Sequence, residues 1–268
     1  MSQQLIQQQQ QLHQFAQQAI NQGRFNEAQQ ALIRLLNANP GFYDAYFLLG
    51  VMEAELGTYT KAVALIEKAL SMHDKSEYAA HLAKCYAMMG EATKTYEAIY
   101  RARRHNIQDA LTLDTIGVAL SRLGDHPQAI GYFEQAIEKK PAASFYYNLG
   151  ASQTFAGAFD AARVSYERAI ELNPLFYQAH SSLSHLGGID EQHNHIDRLK
   201  SVLPKMSHAD AKLHICHALA RELESLKHYE SCFSTLEQAK AAKRAALDYD
   251  FSTDAALFSE LHRLFADE

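Results

Sequence analysis

The sequence contains no tryptophan, only five prolines and three cysteines, and no excess of basic residues among its 268 positions. Because proline breaks helices, its scarcity leaves long stretches free to be helical. Cys85, Cys216 and Cys232 cannot form a full set of pairs and show no C-x-x-C spacing, so we interpret them as reduced thiols. Nowhere do about 18 apolar residues follow one another, which excludes a helical membrane span.

The charge balance and the amino terminus exclude further classes of protein. The formal net charge of −6 argues against a nucleic-acid-binding surface as the main purpose. Residues 1–11 are rich in glutamine and have neither a basic residue nor an apolar core of signal-peptide length. We therefore expect a cytoplasmic protein that binds neither nucleic acid nor membrane.

An internal repeat is the most informative pattern in the chain. Five copies begin 33 or 34 residues apart, at Ala16, Gly50, Ala83, Gly117 and Gly150. Within each copy, residues of similar type recur at fixed offsets of 7, 12, 16, 19 and 24. Apolar residues follow helical spacing on both sides of a glycine-containing break, which predicts two amphipathic helices per copy.

Glycine and proline have a predictable role in each copy. The glycine at offset 7 should end the first helix in a left-handed cap, at Gly23, Gly57, Gly90, Gly124 and Gly157. The mid-helix glycines should let the second helix approach closely, at Gly50, Gly117 and Gly150. Prolines should stop the second helix, at Pro40, Pro141 and Pro174.

This pattern resembles the tetratricopeptide repeat family, and AFDAARVSYERAIELNP (158–174) matches its second helix closely. The sequence departs from the family at Asp74 and Ile107, where proline is usual, and at Thr95, where alanine is usual. The resemblance implies an all-α, right-handed superhelical solenoid of antiparallel helical hairpins with a C-terminal capping helix. It also implies a concave groove, lined by the first helices, that binds a protein or peptide partner.

We divide the chain into five segments on this basis. They are a Gln-rich segment (1–8), five regular hairpins (9–176), a degenerate sixth hairpin (177–212), a seventh hairpin (213–247) and a capping helix (248–268). The Gln-rich segment could extend the first helix through Leu5, Leu12, Phe15 and Ala19, or it could be a disordered tail. Ser207, followed three residues later by Asp210, predicts a capping-box start to the seventh hairpin.

The tail from Asn194 to Leu261 carries a second, narrower resemblance. NHIDRLKSVL, HALARELESLKHYESCFSTLEQAKAAKR and YDFSTDAALFSEL look like the stretch before the catalytic domain of bacterial tetratricopeptide-repeat sulfotransferases. That family continues with a P-[RK]-[ST]-G-T phosphosulfate-binding loop, which this sequence does not contain. The resemblance implies a substrate-presenting or dimerising region whose catalytic domain, with its phosphoadenosine phosphosulfate donor, lies outside this chain.

The family's groove-facing positions give the candidate binding residues. Asn148 occupies the place where several peptide-binding members hold a backbone-gripping asparagine, whose amide both donates and accepts. The alternative is a solvated groove residue without a ligand. Mapped onto this sequence, the strongest candidates are Phe47, His81, Lys84, Asp114, Arg122, Tyr147, Asn148 and His185, and the same positions also include His13, Gln17 and Ser181.

Other sites find little support in the sequence. A carboxylate clamp would need donors where Phe47, Val51, Thr115 and Val118 stand. Among the clustered histidines only His214 and His217 share a helix face, so we predict no metal site. No nucleophile-base set, paired carboxylates or phosphate loop appears, so we expect no catalytic residue and no cofactor.

Two surface questions stay open at this level. The cations Arg101, Arg103, Arg104 and His105 end a helix, where they could complement the helix dipole or contact an acidic partner. Lys240, Lys243 and Arg244 raise the same choice. Whether two arrays pair as a homodimer through exposed faces is equally open.

Overall fold

The computed structural model describes residues 3–247 and 250–265. Over these residues it has fifteen α-helices, one short 3-10 turn and no strand, which confirms the predicted all-α class of helical hairpins. The helices are α1 Gln3–Asn21, α2 Phe25–Ala38, α3 Tyr43–Glu55, α4 Tyr59–Met72, α5 Ser76–Met88, α6 Ala92–Ala102, α7 Ala110–Arg122, α8 His126–Lys139, α9 Ala143–Phe155, α10 Phe159–Leu172, α11 Tyr177–His185, α12 Ile196–Val202, α13 Ala209–Ser225, α14 Tyr229–Ala246 and α15 Phe251–Phe265. The chain divides into two compact units, Met1–Ala162 and Arg163–Glu268.

The first unit is built from hairpins in which α1 packs on α2, α3 on α4, α5 on α6 and α7 on α8. Its core contains the small and apolar residues of the repeat. The alanines at offset 12 are fully buried, and so are the aliphatic residues at offset 16 of the first two copies, namely Ala28, Ala62, Ala129, Ala162, Leu32 and Ile66. Small side chains at these positions let two helix backbones approach, and the larger ones fill the space between hairpins.

The glycines of the repeat have the conformations that the sequence predicts. All five glycines at offset 7 have positive φ, from 71° at Gly23 to 84° at Gly124. A Cβ on Gly117 would lie 2.6 Å from the Phe133 ring, and one on Gly50 would lie 2.6 Å from Cγ1 of Ile66. The close approach of the second helix therefore requires glycine at Gly50 and Gly117.

The helix ends and two of the three departures from the repeat are also accounted for. Helices α2, α8 and α10 each end two residues before a proline. At the position where alanine is usual, the buried Thr95 hydroxyl donates to the Glu91 carbonyl at 2.9 Å. Asp74 accepts from Arg101 Nε at 2.7 Å, so an ion pair stands where other copies have proline.

The Gln-rich start belongs to a helix, since α1 begins at Gln3. The Leu5 side chain lies outside the described residues. Farther along α1, Ala16 and Ala19 are fully buried and Gln9 is buried too. The first helix therefore includes most of the Gln-rich segment 1–8.

The second unit contains the irregular hairpin. Helix α11 ends before Gly187 and Gly188, both of which have positive φ, and the chain then runs without regular structure to α12. Helices α12, α13 and α14 pack around a small core, and its most deeply buried members are Leu199, Ile215 and Ala218.

The predicted capping box at Ser207 is wrong by one residue. His208 is the N-cap of α13, and its ring Nδ1 accepts the Ala211 N–H at 3.2 Å. An N-cap side chain bonds the third residue of the helix, so this role belongs to His208 once α13 starts at Ala209. Asp210 forms an ion pair with Lys243 of α14 instead.

A buried ion-pair network joins the irregular segment to α13. Glu222, whose side chain is fully buried, accepts from Ser184 Oγ at 2.8 Å and from His195 Nδ1 at 2.8 Å. His195 Nε2 lies 3.3 Å from Glu167, which also receives Arg198 at 2.6 and 3.0 Å. The bonds to Glu167 and Glu222 raise the pKa of His195 to about 9.

Helix α15 lies within the predicted C-terminal segment 248–268, of which residues 248, 249 and 266–268 are outside the described part. Its large apolar side chains are exposed, Phe258 by 61%. The others are Phe251, Leu257, Leu261, Leu264 and Phe265.

Replacing Lys227 by glycine should stabilise the second unit. Lys227 has φ 61° at the position where other repeats have glycine. Because a left-handed residue with a Cβ costs roughly 1–2 kcal/mol, we expect a gain of about 0.5–1 kcal/mol after the entropy that glycine adds to the unfolded chain. Urea unfolding measures the change. As a matched control, Lys212→Gly inside α13 should lose about 1 kcal/mol. Equal losses in both variants would contradict the expectation.

The His195 network should make stability depend on alkaline pH. The pKa of His195 is raised from 6.5 to about 9, so its contribution is complete below pH 6.5 and is lost as the pH rises through 9. We expect the free energy of unfolding to fall by about 1–3 kcal/mol over this window. His195→Gln should abolish this slope, and the control His228→Gln, an exposed histidine of the same unit, should retain it. A wild-type protein with no slope between pH 6.5 and 9 would refute this role of His195.

Candidate ligand groove

The groove candidates of the first unit lie on the first helices of successive hairpins. Phe47 is on α3, His81 and Lys84 are on α5, Asp114 and Arg122 are on α7, and Tyr147 and Asn148 are on α9. Lys84, Arg122 and Asn148 line one cleft of about 550 Å³, which we call the α5/α7/α9 cleft. Its other lining residues are Met88, Val118, Ser121, Gly124, His126, Phe133, Ala151 and Phe155.

The repeat explains why these residues meet. Met88, Arg122 and Phe155 occupy the same position of three consecutive copies, as do Lys84, Val118 and Ala151. Stacked hairpins place equivalent positions side by side, so each set forms a row across the three helices. Phe133 comes from α8 and reaches the cleft beside Gly117, where no side chain blocks it.

Asn148 is held by a buried carboxylate. Its Nδ2 donates to Asp114 Oδ1 at 2.9 Å. Burial raises the pKa of Asp114 to about 6, although the bond from Asn148 and the charge of Lys84 act in the opposite direction. An ionised carboxylate can only accept, so it turns the amide nitrogen of Asn148 toward itself and leaves Oδ1 as an acceptor.

The cleft carries two cations with weak or no internal partners. Lys84 Nζ lies 3.5 Å from Glu55 Oε1, and both side chains are partly exposed. Such a surface pair contributes little to stability. Arg122 is exposed, and among the described residues its guanidinium has no ion-pair partner. The lining of the cleft includes no carboxylate among these residues.

An exposed aromatic ring forms the apolar edge. Phe155 is 76% exposed and stacks on His126, with ring centroids 4.8 Å apart and planes 6° from parallel. Met88, Ser121, His126, Ala151 and Phe155 were not among the sequence candidates. The signal that could have identified Met88 and Phe155 is their repeat position, which is that of Arg122.

The remaining candidates have different roles. Phe47 is only 5% exposed, and its ring stacks on Tyr78 at 4.3 Å and meets His81 edge-on at 5.1 Å, so it is a buried support of the groove wall. Burial, with a smaller effect of Lys84, lowers the pKa of His81 to about 4. Tyr147 is half-buried on α9. His185 belongs to the second unit, where it is exposed and bonds the Ser181 carbonyl at 2.6 Å.

Arg101, in the last turn of α6, contacts a neighbouring helix. Arg101 Nη2 donates to the Leu70 carbonyl at 3.2 Å, near the end of α4, while its Nε binds Asp74. Arg101 therefore complements the carboxyl end of α4 as well as that of its own helix.

Thiols, metals and membranes offer no second site among the described residues. Burial raises the pKa of the Cys85 thiol to about 11 and also raises that of Cys216, which makes both poor nucleophiles. The described part of the chain contains no group of three or more His, Cys, Asp or Glu side chains placed to hold a metal ion. No helix in this part has the length and hydropathy required to cross a bilayer.

Solved structures with similar folds have low sequence identity to this chain. A chain of the APC/C hetero-tetramer Cut9-Hcn1 is 16% identical, with a TM-score of 0.58 over 85% of this chain and 42% of its own length. A thermophilic TPR protein of Thermus thermophilus is 18% identical, with a TM-score of 0.60 over 66% of this chain and 98% of its own. The pilF protein of Pseudomonas aeruginosa is 14% identical, with a TM-score of 0.57 over 86% and 98%. This chain thus spans about two fifths of the Cut9-Hcn1 chain, and the similarity concerns the fold alone.

The family comparison agrees with the repeat period. None of the curated proteins matches the chain. The tetratricopeptide repeat model matches residues 13–80 and 115–175. The match ends before the tail at 194–261, so the resemblance of that tail to sulfotransferase repeat regions gains no support. The matched residues 13–80 and 115–175 are tetratricopeptide repeats, and the helical hairpins share the fold of solved tetratricopeptide repeat proteins.

Proposed function

We propose that the first unit is a binding scaffold that holds an extended segment of a protein partner in the α5/α7/α9 cleft. Tetratricopeptide repeat proteins are typically non-catalytic scaffolds that bind proteins or peptides, which supports a binding role. The observation that carries the proposal is Asn148, whose amide is fixed by Asp114 in a cleft lined by three successive first helices. A cytoplasmic location remains a prediction from the sequence.

The chemistry of the cleft suits a peptide main chain. With Nδ2 bound to Asp114, Oδ1 of Asn148 is an acceptor for a peptide N–H. Phe133, Val118 and Met88 offer apolar surface beside it. A few placed polar groups among apolar walls are the usual composition of a small binding site, because the polar groups set orientation and the apolar contacts supply affinity.

The unfavourable ionisation of Asp114 supports a role in binding. A carboxyl group whose pKa is raised by burial destabilises the folded state once it is ionised. Perturbed groups of this kind gather at functional sites. The second buried carboxylate, Glu222, differs because it has His195 as a cationic partner.

Asp114→Asn should raise stability and weaken binding together. The pKa of Asp114 is raised from 3.8 to about 6, so its destabilising effect is absent below pH 3.8 and complete above pH 6. At neutral pH we expect a gain of about 1–3 kcal/mol in the free energy of unfolding. Binding should fall because an asparagine at 114 can both donate and accept and no longer fixes the Asn148 amide.

Urea unfolding and binding of peptides selected from a random peptide library measure the two effects. Asp160→Asn, at an exposed aspartate in the first turn of α10, is the matched control, which should leave binding unchanged and should not raise stability. Asn148→Ala should weaken peptide binding without raising stability. Selected peptides that bind Asn148→Ala and Asp114→Asn as tightly as the wild-type protein would refute the groove proposal.

A second candidate function is self-association through α15. Phe251, Phe258 and Phe265 recur every seven residues, and all three are exposed. A heptad of large apolar residues forms the contact face of paired helices. Leu257, Leu261 and Leu264 lie beside this stripe and widen it. We expect the α15 helices of two copies of this chain to pair along the stripe.

A charged residue in the stripe should dissociate the dimer. Light scattering of the purified chain should give the mass of two copies for the wild-type protein and of one copy for Phe258→Glu. Ser259→Glu adds the same charge at an adjacent exposed position of α15 and should leave the dimer intact. A wild-type protein that stays monomeric at high concentration would refute self-association through α15 and would not affect the groove proposal.

A further inference from the structure

The α5/α7/α9 cleft has a charge pattern of its own. Although the chain carries a net charge of −6, the charged residues that line the cleft are Lys84 and Arg122. The nearby carboxylate Asp114 is buried and bonded to Asn148. A ligand group in this cleft therefore meets two cations and, among the described lining residues, no competing anion.

Arg122 is the cation with the most capacity to bind. The described residues give its guanidinium no ion-pair partner, whereas Lys84 has a long contact to Glu55. A guanidinium binds a carboxylate through two parallel N–H···O bonds, which adds directionality to the attraction. A carboxylate of the ligand would be the ion-pair partner that the described residues do not provide for Arg122.

The ring next to Arg122 adds an apolar requirement. Phe155 stands one repeat after Arg122 at the same position, and His126 covers one of its faces. The ring is still 76% exposed, and Met88 and Val118 continue the apolar surface across the cleft. A large apolar side chain of the ligand would cover this surface.

The distance between the two features sets the spacing in the ligand. Arg122 and Phe155 lie on neighbouring first helices, and packed helix axes are about 8–10 Å apart. An extended chain advances about 3.3 Å per residue, so two residues span about 7 Å. The side chains bridge the remaining distance to the about 8–10 Å between helix axes. The acidic and the apolar side chain should therefore be within two residues of each other.

We propose that the cleft selects an internal protein segment in which an aspartate or glutamate lies within two residues of a phenylalanine, leucine or methionine. Arg122 and Lys84 bind the carboxylate, Phe155 and Met88 contact the apolar side chain, and Asn148 holds the main chain between them. This specificity rests on the proposed function of the cleft.

A display library of short random peptides, flanked by linkers so that no terminal carboxylate is available, tests the specificity against the full-length chain. The wild-type protein should enrich peptides with the acidic-apolar pair. Arg122→Glu should lose that enrichment and select lysine or arginine instead. Arg34→Gln changes an exposed arginine on α2 that does not line the cleft, and this variant should select the same peptides as the wild-type protein.

A double-mutant cycle then measures the contact itself. A labelled, amidated peptide with the selected pair should bind the wild-type protein about tenfold more tightly than its Glu→Gln version, as a charge-assisted contact of roughly 1.4 kcal/mol requires. With Arg122→Gln the preference for the Glu peptide should shrink, and with Arg122→Gln and Lys84→Gln together the two peptides should bind alike. Circular dichroism of each variant verifies that it is folded.

The outcomes separate the two proposals. If the wild-type chain enriches no peptide, the groove function and this specificity both fail. If it enriches peptides without an acidic residue, or if the Glu→Gln peptide binds the wild-type protein equally well, the specificity alone is refuted.

Discussion

The close approach of two helices at a position without a side chain determines the geometry of the first unit. A Cβ on Gly117 would lie 2.6 Å from the ring of Phe133, so α8 can pack at its present distance only because residue 117 is glycine. The same contact brings Phe133 to the α5/α7/α9 cleft. Core packing and the shape of the cleft therefore depend on one constraint, and the groove side chains on α5, α7 and α9 keep their spacing because the hairpins below them are close-packed.

Two buried carboxylates show how differently the two units accommodate charge. Glu222 has its pKa lowered because His195 binds it as a cation, despite full burial. Asp114 has its pKa raised by burial, which the hydrogen bond from the neutral Asn148 and the charge of Lys84 only partly offset. In the first case the charge pair ties an irregular segment to α13 and stabilises it. In the second case, ionisation of Asp114 destabilises the fold, and the carboxylate orients the amide of Asn148.

Much of the fold could be predicted from the sequence because the repeat encodes it locally. Gly23 and Gly124 specify where a helix ends, and Ala28 and Ala62 specify which face is buried. Of the residues that line the α5/α7/α9 cleft, Lys84, Arg122 and Asn148 could be named from the period, and the binding of a ligand there stays a prediction. The burial of Phe47, a groove candidate by its repeat position, could not be predicted, because the period places a residue on a helix but does not decide whether its side chain is covered.

The remaining features depend on contacts that no local pattern contains. The Glu222 network joins residues 27 and 38 positions apart in the chain, across a hairpin that has lost the repeat. Lys227 adopts a glycine conformation because the surrounding repeat imposes the turn, although its own residue type opposes it. His208 replaces the predicted Ser207 as a helix cap because α13 starts at Ala209.

The row formed by Met88, Arg122 and Phe155 has a consequence for how such a protein changes its specificity. The three residues occupy one repeat position on successive hairpins, so they differ in chemistry while the backbone beneath them stays the same. Duplicating, deleting or reordering a hairpin would bring new neighbours together along this row without any new fold. Each hairpin contributes one side chain to the row, so the order of the hairpins determines the chemistry of the surface that a ligand would contact.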